Sequence, residues 1–477
     1  MDNSASLRLD QAHLPISRGS LLQFPEDPIA CMKRLHARHG DLAVLEDDGQ
    51  RLVFIFGPEY NRQVLSDSKR FHSQFFAVRG GRRSAQRRVT SGLLSQNGAE
   101  HREGRRILMD VFSKKTLPGY HDTICDITQE LIEDWDIGQR RDLNSEMTQY
   151  MLRLTAALLF GVDDAGYSTE LGRMVDRWVH RNHEVGMGAL VSSPEFPERY
   201  ETLLSMADEL EACVEQMFEK HRRRNSERID ILSLLFQAQQ GGGGLSDDQL
   251  VGHTTLLFAA AHLTTAHTLS WTLFLLAQHP EVMKKLQAEL DSAVDGPVPA
   301  PVEADRLTYM DQVIRESMRV LPASSYSQRI CAEPVTLGPL NLRQGTPIIF
   351  SQYITHHRPD LFDEPDVFRP ERWDTINPSP YEYLPFGAGP RMCIGAPLAM
   401  VELRTALTII LKRFHFQIEP GSTVNGQVVS TMLAPTSTIE SKLLPTESIP
   451  GLAPVTGTIH DLVRLPRQAV VEQRRAA

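Results

Sequence analysis

The sequence predicts a mainly α-helical protein with small β-sheets, an α+β fold, in a single domain. Apolar residues recur at i, i+3 and i+4 over six long segments, which is the spacing of helices that bury one face. Strand-like runs are short and few, and the 477 residues contain no internal repeat and no domain-sized linker. The helical segments are 58–66, 101–112, 118–135, 142–160, 198–223 and 229–238, and the later strand-like runs are 334–337, 347–353 and 427–433.

A β-hairpin is predicted near the start of the chain. Two apolar runs, 42–45 and 52–56, flank the pair Asp48-Gly49. Asp-Gly is a preferred pair for two-residue hairpin turns, because both central positions of such turns require positive φ. We therefore expect two antiparallel strands joined at this pair.

A long helix is predicted in the middle of the chain. Ser246 and Gln249 have the spacing of a capping box, and the helical pattern then continues to about Ala277, where His279-Pro280 ends it. At 1.5 Å per residue this helix spans about 45 Å, enough to cross a domain. Its middle is apolar apart from His and Thr, so we expect it to be buried.

The composition excludes several classes of protein. A net charge of −10 argues against a nucleic-acid partner. The five cysteines lack the spacing of a disulfide framework or a cysteine-rich zinc site, which fits a reducing cytoplasm. They are Cys31, Cys125, Cys213, Cys331 and Cys393.

The two ends of the chain differ from its body. Residues 1–23 are polar, so we expect neither a signal peptide nor a membrane anchor. From Thr446 onward the chain is rich in proline and small residues. We expect a domain that spans 1–477, with its core at about 20–440 and an extra tail, 446–477, that wraps the surface or stays mobile.

The most informative segment is the glycine-rich run 386–395. Cys393 lies just before a helix, whose first turn contains Pro397, so helix dipole and free N–H groups favour the thiolate that binds iron. Glycines in the run let the backbone approach a flat ligand, and Arg391 can neutralise an acidic group on it. The alternative is a buried structural cysteine in a turn.

The pattern of Phe386, Gly389, Arg391, Cys393 and Gly395 resembles the haem-binding loop of cytochromes P450, F-x-x-G-x-R-x-C-x-G, at every fixed position. The resemblance extends over about residues 20–440. It implies the P450 fold, in which the long central helix crosses over the haem. It also implies haem b as the cofactor, with the Cys393 thiolate as the axial iron ligand.

A second motif resembles the E-x-x-R and P-E-R-F elements of the same family. Glu316 and Arg319 stand three residues apart, and Arg372 lies within Arg369-Pro370-Glu371-Arg372-Trp373. The resemblance implies that Glu316, Arg319 and Arg372 form a buried charge network that braces the haem loop. The alternative is a surface ion pair of about 0.3–0.5 kcal/mol.

Four basic residues match family positions that hold the haem propionates. His101 and Arg105 match the H-x-x-x-R form of the family's helix motif, Arg329 follows the first substrate-contacting strand, and Arg391 is the fourth. The alternative, for each of these residues taken singly, is a solvated surface charge.

The central helix carries Ala260-Ala261-His262-Leu263-Thr264-Thr265, which resembles the family's A-G-x-[DE]-T-[TS]. The resemblance places Ala260 over the haem and gives Thr264 a catalytic part in delivering protons to bound dioxygen. Alternatively, Thr264 only bonds back to the carbonyl of Ala260. Ala261 replaces the family's glycine, and Leu263 replaces the family's acidic residue. A leucine side chain cannot relay a proton.

Family position also suggests substrate contacts and a charged entrance. The arginine-rich stretch 79–88, between Phe75-Phe76 and Leu93-Leu94, is either a solvated loop or steers an anionic or carrier-bound substrate. The proposed substrate contacts are Leu263, Ser324, Ser325, Tyr326, Met432 and Leu433. The polar ones among them suggest hydrogen bonds to an oxygenated substrate.

The resemblance implies a haem-thiolate monooxygenase that hydroxylates or epoxidises a small organic molecule, plausibly in secondary metabolism. A ferredoxin and its reductase would supply electrons to a monomeric, cytoplasmic enzyme without a membrane anchor. The donor would dock on the cysteine side of the haem, where we expect Arg106, Lys114, Lys115 and Arg404. The alternative, suggested by Leu263, is a haem-thiolate isomerase, dehydratase or peroxide-dependent enzyme that does not activate dioxygen.

Overall fold

The structure is a computed structural model. It describes residues 14–74, 78, 80–161, 165–190, 195–223, 230–240 and 245–466, with the backbone alone at 165–169 and 187–190. Helices dominate it, and four small sheets lie at one side and among the helices. Within the described residues, no helix is both long enough and apolar enough to cross a bilayer.

The helices are α1 Gln23–Glu26, α2 Pro28–His39, α3 Pro58–Ser66, α4 Ala85–Val89, α5 Gly98–Val111, α6 His121–Leu131, α7 Leu143–Phe160, α8 Ala165–Leu190, α9 Phe196–Arg222, α10 Ile231–Gln240, α11 Asp247–Gln278, α12 Pro280–Ala293, α13 Pro301–Ala304, α14 Thr308–Val320, α15 Gln352–His356, α16 Ala396–Leu411 and α17 Ile459–Leu462. The strands are β1 Ile16–Arg18, β2 Leu42–Asp47, β3 Gln50–Ile55, β4 Phe71–His72, β5 Arg140–Asp142, β6 Ser327–Cys331, β7 Val335–Leu337, β8 Leu340–Leu342, β9 Pro347–Phe350, β10 His415–Ile418, β11 Gly426–Val429, β12 Met432–Pro435 and β13 Glu440–Leu444.

The predicted hairpin is confirmed and forms part of the largest sheet. Strands β2 and β3 pair antiparallel, and the turn residues Asp48 and Gly49 have φ values of 45° and 78°. The sheet continues in the order β1-β2-β3-β9-β6-β4. The N-terminal part of the chain is thereby joined to β6 and β9, which follow the long helices in sequence.

The long central helix is also confirmed, as α11. The Ser246 hydroxyl accepts from the backbone N–H of Gln249 at 3.2 Å, and the Gln249 side chain accepts from the backbone N–H of Ser246 at 3.0 Å. The helix runs along α7 through the middle of the core, and its C-terminal half, from Thr265 to Gln278, is entirely buried.

Two predicted strand boundaries are wrong. The run 347–353 is a strand only to Phe350, because Ser351 caps helix α15 by accepting from the backbone N–H of Ile354 at 3.0 Å. The run 427–433 is two antiparallel strands, β11 and β12, joined at Ser430, whose φ is +59°. A β-propensity pattern cannot show such a reversal when no glycine or proline marks the turn.

The described part of the C-terminal tail packs against the domain. Ile459, Leu462 and Val463 are buried in the main hydrophobic core, and the Tyr353 hydroxyl donates to the carbonyl of Leu462 at 3.0 Å. Lys33 donates to the carbonyl of Asp461 at 2.8 Å. The tail is therefore held in place over 446–466, and residues 467–477 lie outside the described residues.

Candidate haem-binding and catalytic site

The cysteine loop is held in a tight, specific shape. The backbone N–H of Cys393 donates to the carbonyl of Phe386 at 2.8 Å, so the two ends of the loop meet. Gly389 has a φ of +71°, and a Cβ at this position would lie 2.2 Å from the carbonyl oxygen of Leu65. Only glycine fits there, since both the backbone conformation and the contact exclude a side chain.

The thiol of Cys393 lies at the start of α16. The backbone N–H groups of Gly395 and Ala396 donate to it, and the charge of Arg105 also favours the thiolate. Desolvation by the surrounding protein is the larger influence and raises the pKa of the thiol above its usual value. A bound metal cation would remove this penalty, because metal ligation requires and stabilises the thiolate.

Four basic side chains lie close to one another beside this loop. Arg391 donates to the Asn97 side chain at 2.6 Å, and Arg105 donates to the carbonyl of Met392 at 2.9 Å. Burial and then the charges of Arg391, Arg105 and Arg329 lower the pKa of His101 to about 4. Burial and the Arg391 charge likewise lower the pKa of Arg329 to about 10.

This cluster has the chemistry of an anion site. Within the described residues, none of His101, Arg105, Arg329 and Arg391 forms an ion pair with a carboxylate. The Nε atom of Arg391 is buried without a hydrogen-bond partner. Like charges held together at partial burial require a counter-charge. A haem, which presents a ring iron to a thiolate and two carboxylates to cations, fits these residues.

The central helix is partly open to solvent in its middle. Ala260 is exposed and Ala261, Leu263 and Thr264 are half-buried, whereas the C-terminal half of the helix is buried. The Thr264 hydroxyl donates to the carbonyl of Ala260 at 2.9 Å. His262 faces another way and is fully buried, with a hydrogen bond to Asp176 on α8.

The structure brings Glu316, Arg319 and Arg372 together. Arg319 donates twice to the Glu316 carboxylate, at 2.9 and 2.8 Å, and Arg372 donates to it at 2.8 Å. The remaining guanidinium hydrogens reach backbone carbonyls of 356–367. Trp373 completes the network, since its indole N–H donates to Glu316 at 3.1 Å. All four side chains are buried.

Three predicted substrate contacts need correction. Ser325 and Tyr326 are buried, and their hydroxyls donate to the carbonyls of Thr431 and Ser430 at 3.0 and 2.7 Å. Leu433 is fully buried, and its carbonyl accepts from Trp271. These residues join β12 to the start of β6 and are core elements. Sequence position suggested that these residues line a pocket, because it does not show which backbone carbonyls accept a hydrogen bond from each hydroxyl.

The other predicted contacts lie differently. Leu263, Ser324 and Met432 are half-buried, and the Ser324 hydroxyl accepts from Gln352 at 3.2 Å. In the arginine-rich stretch, Arg88 is committed to a two-bonded ion pair with Glu211 of α9. Arg82, Arg83 and Arg87 are exposed. Phe75, Phe76 and Arg79 lie outside the described residues.

The proposed donor face is altered in one position. Arg404 is mostly buried and pairs with Asp305 and Asp311, so its charge is neutralised by two carboxylates. Lys114 and Lys115 are exposed just after α5, the helix whose Phe112 ring comes within 4.0 Å of a Cβ built at Gly395. Arg106 is exposed but pairs with Glu103.

Sequence reasoning missed several residues of the site. Gln96 and Asn97 accept hydrogen bonds from Arg391, and Asp176 is the partner of His262. Only Asn97 had a local signal, because Asn is a preferred N-cap residue and this one lies four residues before the predicted helix 101–112, which in the structure begins at Gly98. The other two depend on contacts between distant parts of the chain.

Comparison with known proteins is consistent with this geometry. The cytochrome P450 family model matches residues 13–442. Cyclooctat-9-en-7-ol 5-monooxygenase of Streptomyces melanosporofaciens is 31% identical over 397 residues, 81% of this chain and 84% of the relative. Pentalenene oxygenase of Streptomyces avermitilis is 27% identical over 87% of this chain and 93% of the relative. The solved heme domain of cytochrome P450DA has a TM-score of 0.76 at 22% identity, over 88% of this chain and 93% of that one, a likeness of fold.

Proposed function

The chain belongs to the cytochrome P450 family and is an oxidoreductase of the monooxygenase type, and on that premise we propose that it inserts one oxygen atom of O2 into a small, largely apolar organic substrate by hydroxylation or epoxidation. The observation that carries the proposal is the cluster of four basic side chains without carboxylate partners beside the loop that presents Cys393 at the start of α16. We propose haem b as the cofactor, Cys393 as its ligand, and a monomeric enzyme in the cytoplasm.

The residues around the cofactor have distinct parts in this proposal. Haem, when bound, supplies the activation of dioxygen, and a thiolate ligand favours cleavage of the O–O bond. Cys393 would bind the iron as thiolate, and the N–H groups of Gly395 and Ala396 would donate hydrogen bonds to that thiolate. His101, Arg105, Arg329 and Arg391 hold the carboxylates of the cofactor, which neutralise their mutual repulsion.

Thr264 is the proposed catalytic residue. Its hydroxyl hydrogen points to the carbonyl of Ala260 at rest, and rotation about χ1 turns the same hydroxyl toward the open face. A hydroxyl both donates and accepts, so Thr264 would accept a hydrogen bond from water and donate one into the haem pocket at its Oγ1. Leu263 supplies no proton, so water is the proton source at this turn.

The substrate class follows from what the site offers. Leu257, Ala259, Ala261, Leu263 and Thr264 are the half-buried side chains of this part of α11, and all but Thr264 are apolar. The hydroxyls of Ser325 and Tyr326 are bonded to the backbone, and Arg88 is paired. An anionic or carrier-bound substrate would therefore have to be recognised by the exposed Arg82, Arg83 and Arg87. The names of two relatives point to an unsaturated alcohol and an alkene, cyclooctat-9-en-7-ol and pentalenene.

The electron donor is proposed to be a small acidic ferredoxin, reduced by its reductase. Lys114 and Lys115 are exposed beside α5, and two large apolar side chains, Met109 and Met392, are 55% and 44% exposed near the cysteine loop. Apolar groups ringed by cations suit a partner of opposite charge.

Turnover under ¹⁸O2 with a ferredoxin, its reductase and NADPH tests the function, with cyclooctat-9-en-7-ol and pentalenene as first substrates. Incorporation of one labelled atom per product supports the proposal. The rival is a haem-thiolate enzyme that does not activate dioxygen, and Leu263 is the observation that favours it. Product formed from hydrogen peroxide but never from O2 and reductant would establish the rival.

A further inference from the structure

The most unusual polar contact outside the haem site joins α8 to the central helix. His262 is fully buried two residues before Thr264, and both of its ring nitrogens are engaged. Nδ1 lies 2.8 Å from the carbonyl oxygen of Phe258 on the same helix. Nε2 lies 2.9 Å from Oδ1 of Asp176 on α8.

This geometry fixes the number of protons that the pair holds. A backbone carbonyl only accepts, so Nδ1 carries a hydrogen. Nε2 then faces a carboxylate oxygen, which in its ionised form also only accepts. Both hydrogen bonds exist together only when a further proton lies between Nε2 and Oδ1. The Asp176 side chain is 36% exposed, so this shared proton exchanges with solvent.

The neighbouring groups named here do not take up this proton, so it stays between Asp176 and His262. His267 on α11 is the nearby imidazole, and burial, followed by the charge of His262, lowers its pKa to about 4, so it stays neutral near pH 7. From α7, Phe160 stacks on Phe258 and brings no charge. On α8, His180 pairs with Glu184 within its own helix.

Helix α8 is tied to a second element that itself rests on the central helix. The Trp178 indole N–H donates to the Gln86 side chain at 2.8 Å, which joins α8 to α4. Just after α4, the Ser91 hydroxyl donates to the carbonyl of Asp248 on α11 at 2.8 Å. The three elements thus form a closed triangle of side-chain contacts. Asp176–His262 is the corner next to Thr264.

We propose that Asp176 and His262 are positioning residues whose proton-sharing bond fixes α8 against the turn Ala260–Thr264 and thereby sets the affinity of the site for apolar ligands. The inference rests on the proposed function only in that the site beside Thr264 is taken to receive the substrate. Leu263 cannot make such a bond, so His262 makes the polar link of this turn to α8.

Amide hydrogen exchange of the haem-loaded protein is the first test, and it needs no substrate. Asp176→Ala removes the acceptor and should accelerate exchange in the α8 segment 170–186 by about tenfold. Asp176→Asn should exchange like the wild type, because its amide N–H donates to the lone pair of a neutral imidazole. Glu184→Gln is the matched control on the same helix and should leave 170–186 unchanged.

Binding of cyclohexyl isocyanide, a neutral apolar iron ligand, to the reduced protein is the second test. We expect Asp176→Ala to weaken binding about tenfold and Asp176→Asn to change it by less than about twofold.

The outcomes separate the two proposals. Equal exchange of 170–186 in wild type and Asp176→Ala, or equal isocyanide affinity in these two proteins, overturns this inference. A wild-type protein that binds haem and isocyanide but forms no oxygenated product overturns the proposed reaction and leaves the role of Asp176 standing.

Discussion

The guanidinium of Arg319 and the carboxylate of Glu316 face each other through two hydrogen bonds, at 2.9 and 2.8 Å, and neither side chain has any exposed surface. A buried pair of this kind is tolerated only because every remaining hydrogen has a partner. The contribution of this pair to stability is therefore measured when one of the two residues is removed.

Arg319→Ala should abolish a stable haem-loaded fold. It leaves the Glu316 charge with fewer donors in a dry site, a loss of about 3–5 kcal/mol. Arg319→Lys should rescue only part of this, since an ammonium lacks the planar fork. Haem content per chain and the thermal midpoint are the measurements. Arg62→Ala, at an exposed pair with Glu59, is the control and should change stability by less than about 0.5 kcal/mol. Full haem content in Arg319→Ala contradicts the bracing role.

Cys393→Ser should retain the fold and lose the thiolate spectrum. The reduced, carbon monoxide-bound wild type should show the strongly red-shifted Soret band of thiolate ligation, because sulfur donates electron density to the iron. The serine variant should lack that band. Cys213→Ser is the control, and its spectrum should match the wild type. An unshifted band in the wild type would argue against Cys393 as the ligand.

Leu263→Asp tests whether proton supply limits the reaction. An added carboxyl next to Thr264 should raise the product formed per NADPH by severalfold, since general acid groups contribute about 10²–10⁴-fold when well placed. Thr264→Ala is the companion variant and should lower the same yield. Product and NADPH are measured together under O2. If neither variant alters the yield, Thr264 has no part in proton delivery.

Charge reversal at Lys115 should slow electron transfer from an acidic ferredoxin. Lys115→Glu places a like charge where the partner docks, so the second-order reduction rate should fall about tenfold at low salt, and the difference should shrink as salt is raised. Stopped-flow reduction measures the rate. Lys442→Glu, at an exposed lysine on β13, is the control. Equal slowing by both variants would show only a general charge effect.

Buried neutral histidines should make the fold sensitive to acid. Burial lowers the pKa values of His253, His267 and His279 to about 4. The unfolded chain binds these protons near pH 6.5 and the folded chain does not, so stability is full above pH 6.5 and falls toward pH 4. Each histidine contributes on the order of 3 kcal/mol of this loss.

Denaturant unfolding between pH 7 and 4 measures that loss. His253→Phe should lower the number of protons taken up on unfolding by about one and so reduce the slope of the unfolding free energy against pH. The substitution breaks no hydrogen bond, because neither ring nitrogen of His253 has a hydrogen-bond partner. His460→Gln, at an exposed histidine, is the control. An unchanged slope in His253→Phe would contradict burial as the cause.

Local sequence patterns predicted much of this molecule, because some contacts join residues that lie only a few positions apart in the sequence. The capping box at Ser246 and Gln249, the turn at Asp48-Gly49 and the Glu316–Arg319 spacing are of this kind. Ser325 and Tyr326 were misassigned because their hydroxyls donate to backbone carbonyls of a turn that lies about a hundred residues later in the chain. The Asp176–His262 contact joins residues 86 apart on two helices, and nothing in either helix alone indicates the other.

The close approach of Gly389 to the carbonyl of Leu65 has a consequence for the order in which the protein is built. The cysteine loop takes its shape against α3, so residues from opposite ends of the chain must meet before the thiol is presented. Contacts so distant in sequence form late, after the loop-closure entropy has been overcome. During synthesis we therefore expect the N-terminal part of the domain to lack the proposed iron ligand, Cys393, until the ribosome has released the chain beyond α16. Haem capture is then a closing step of folding.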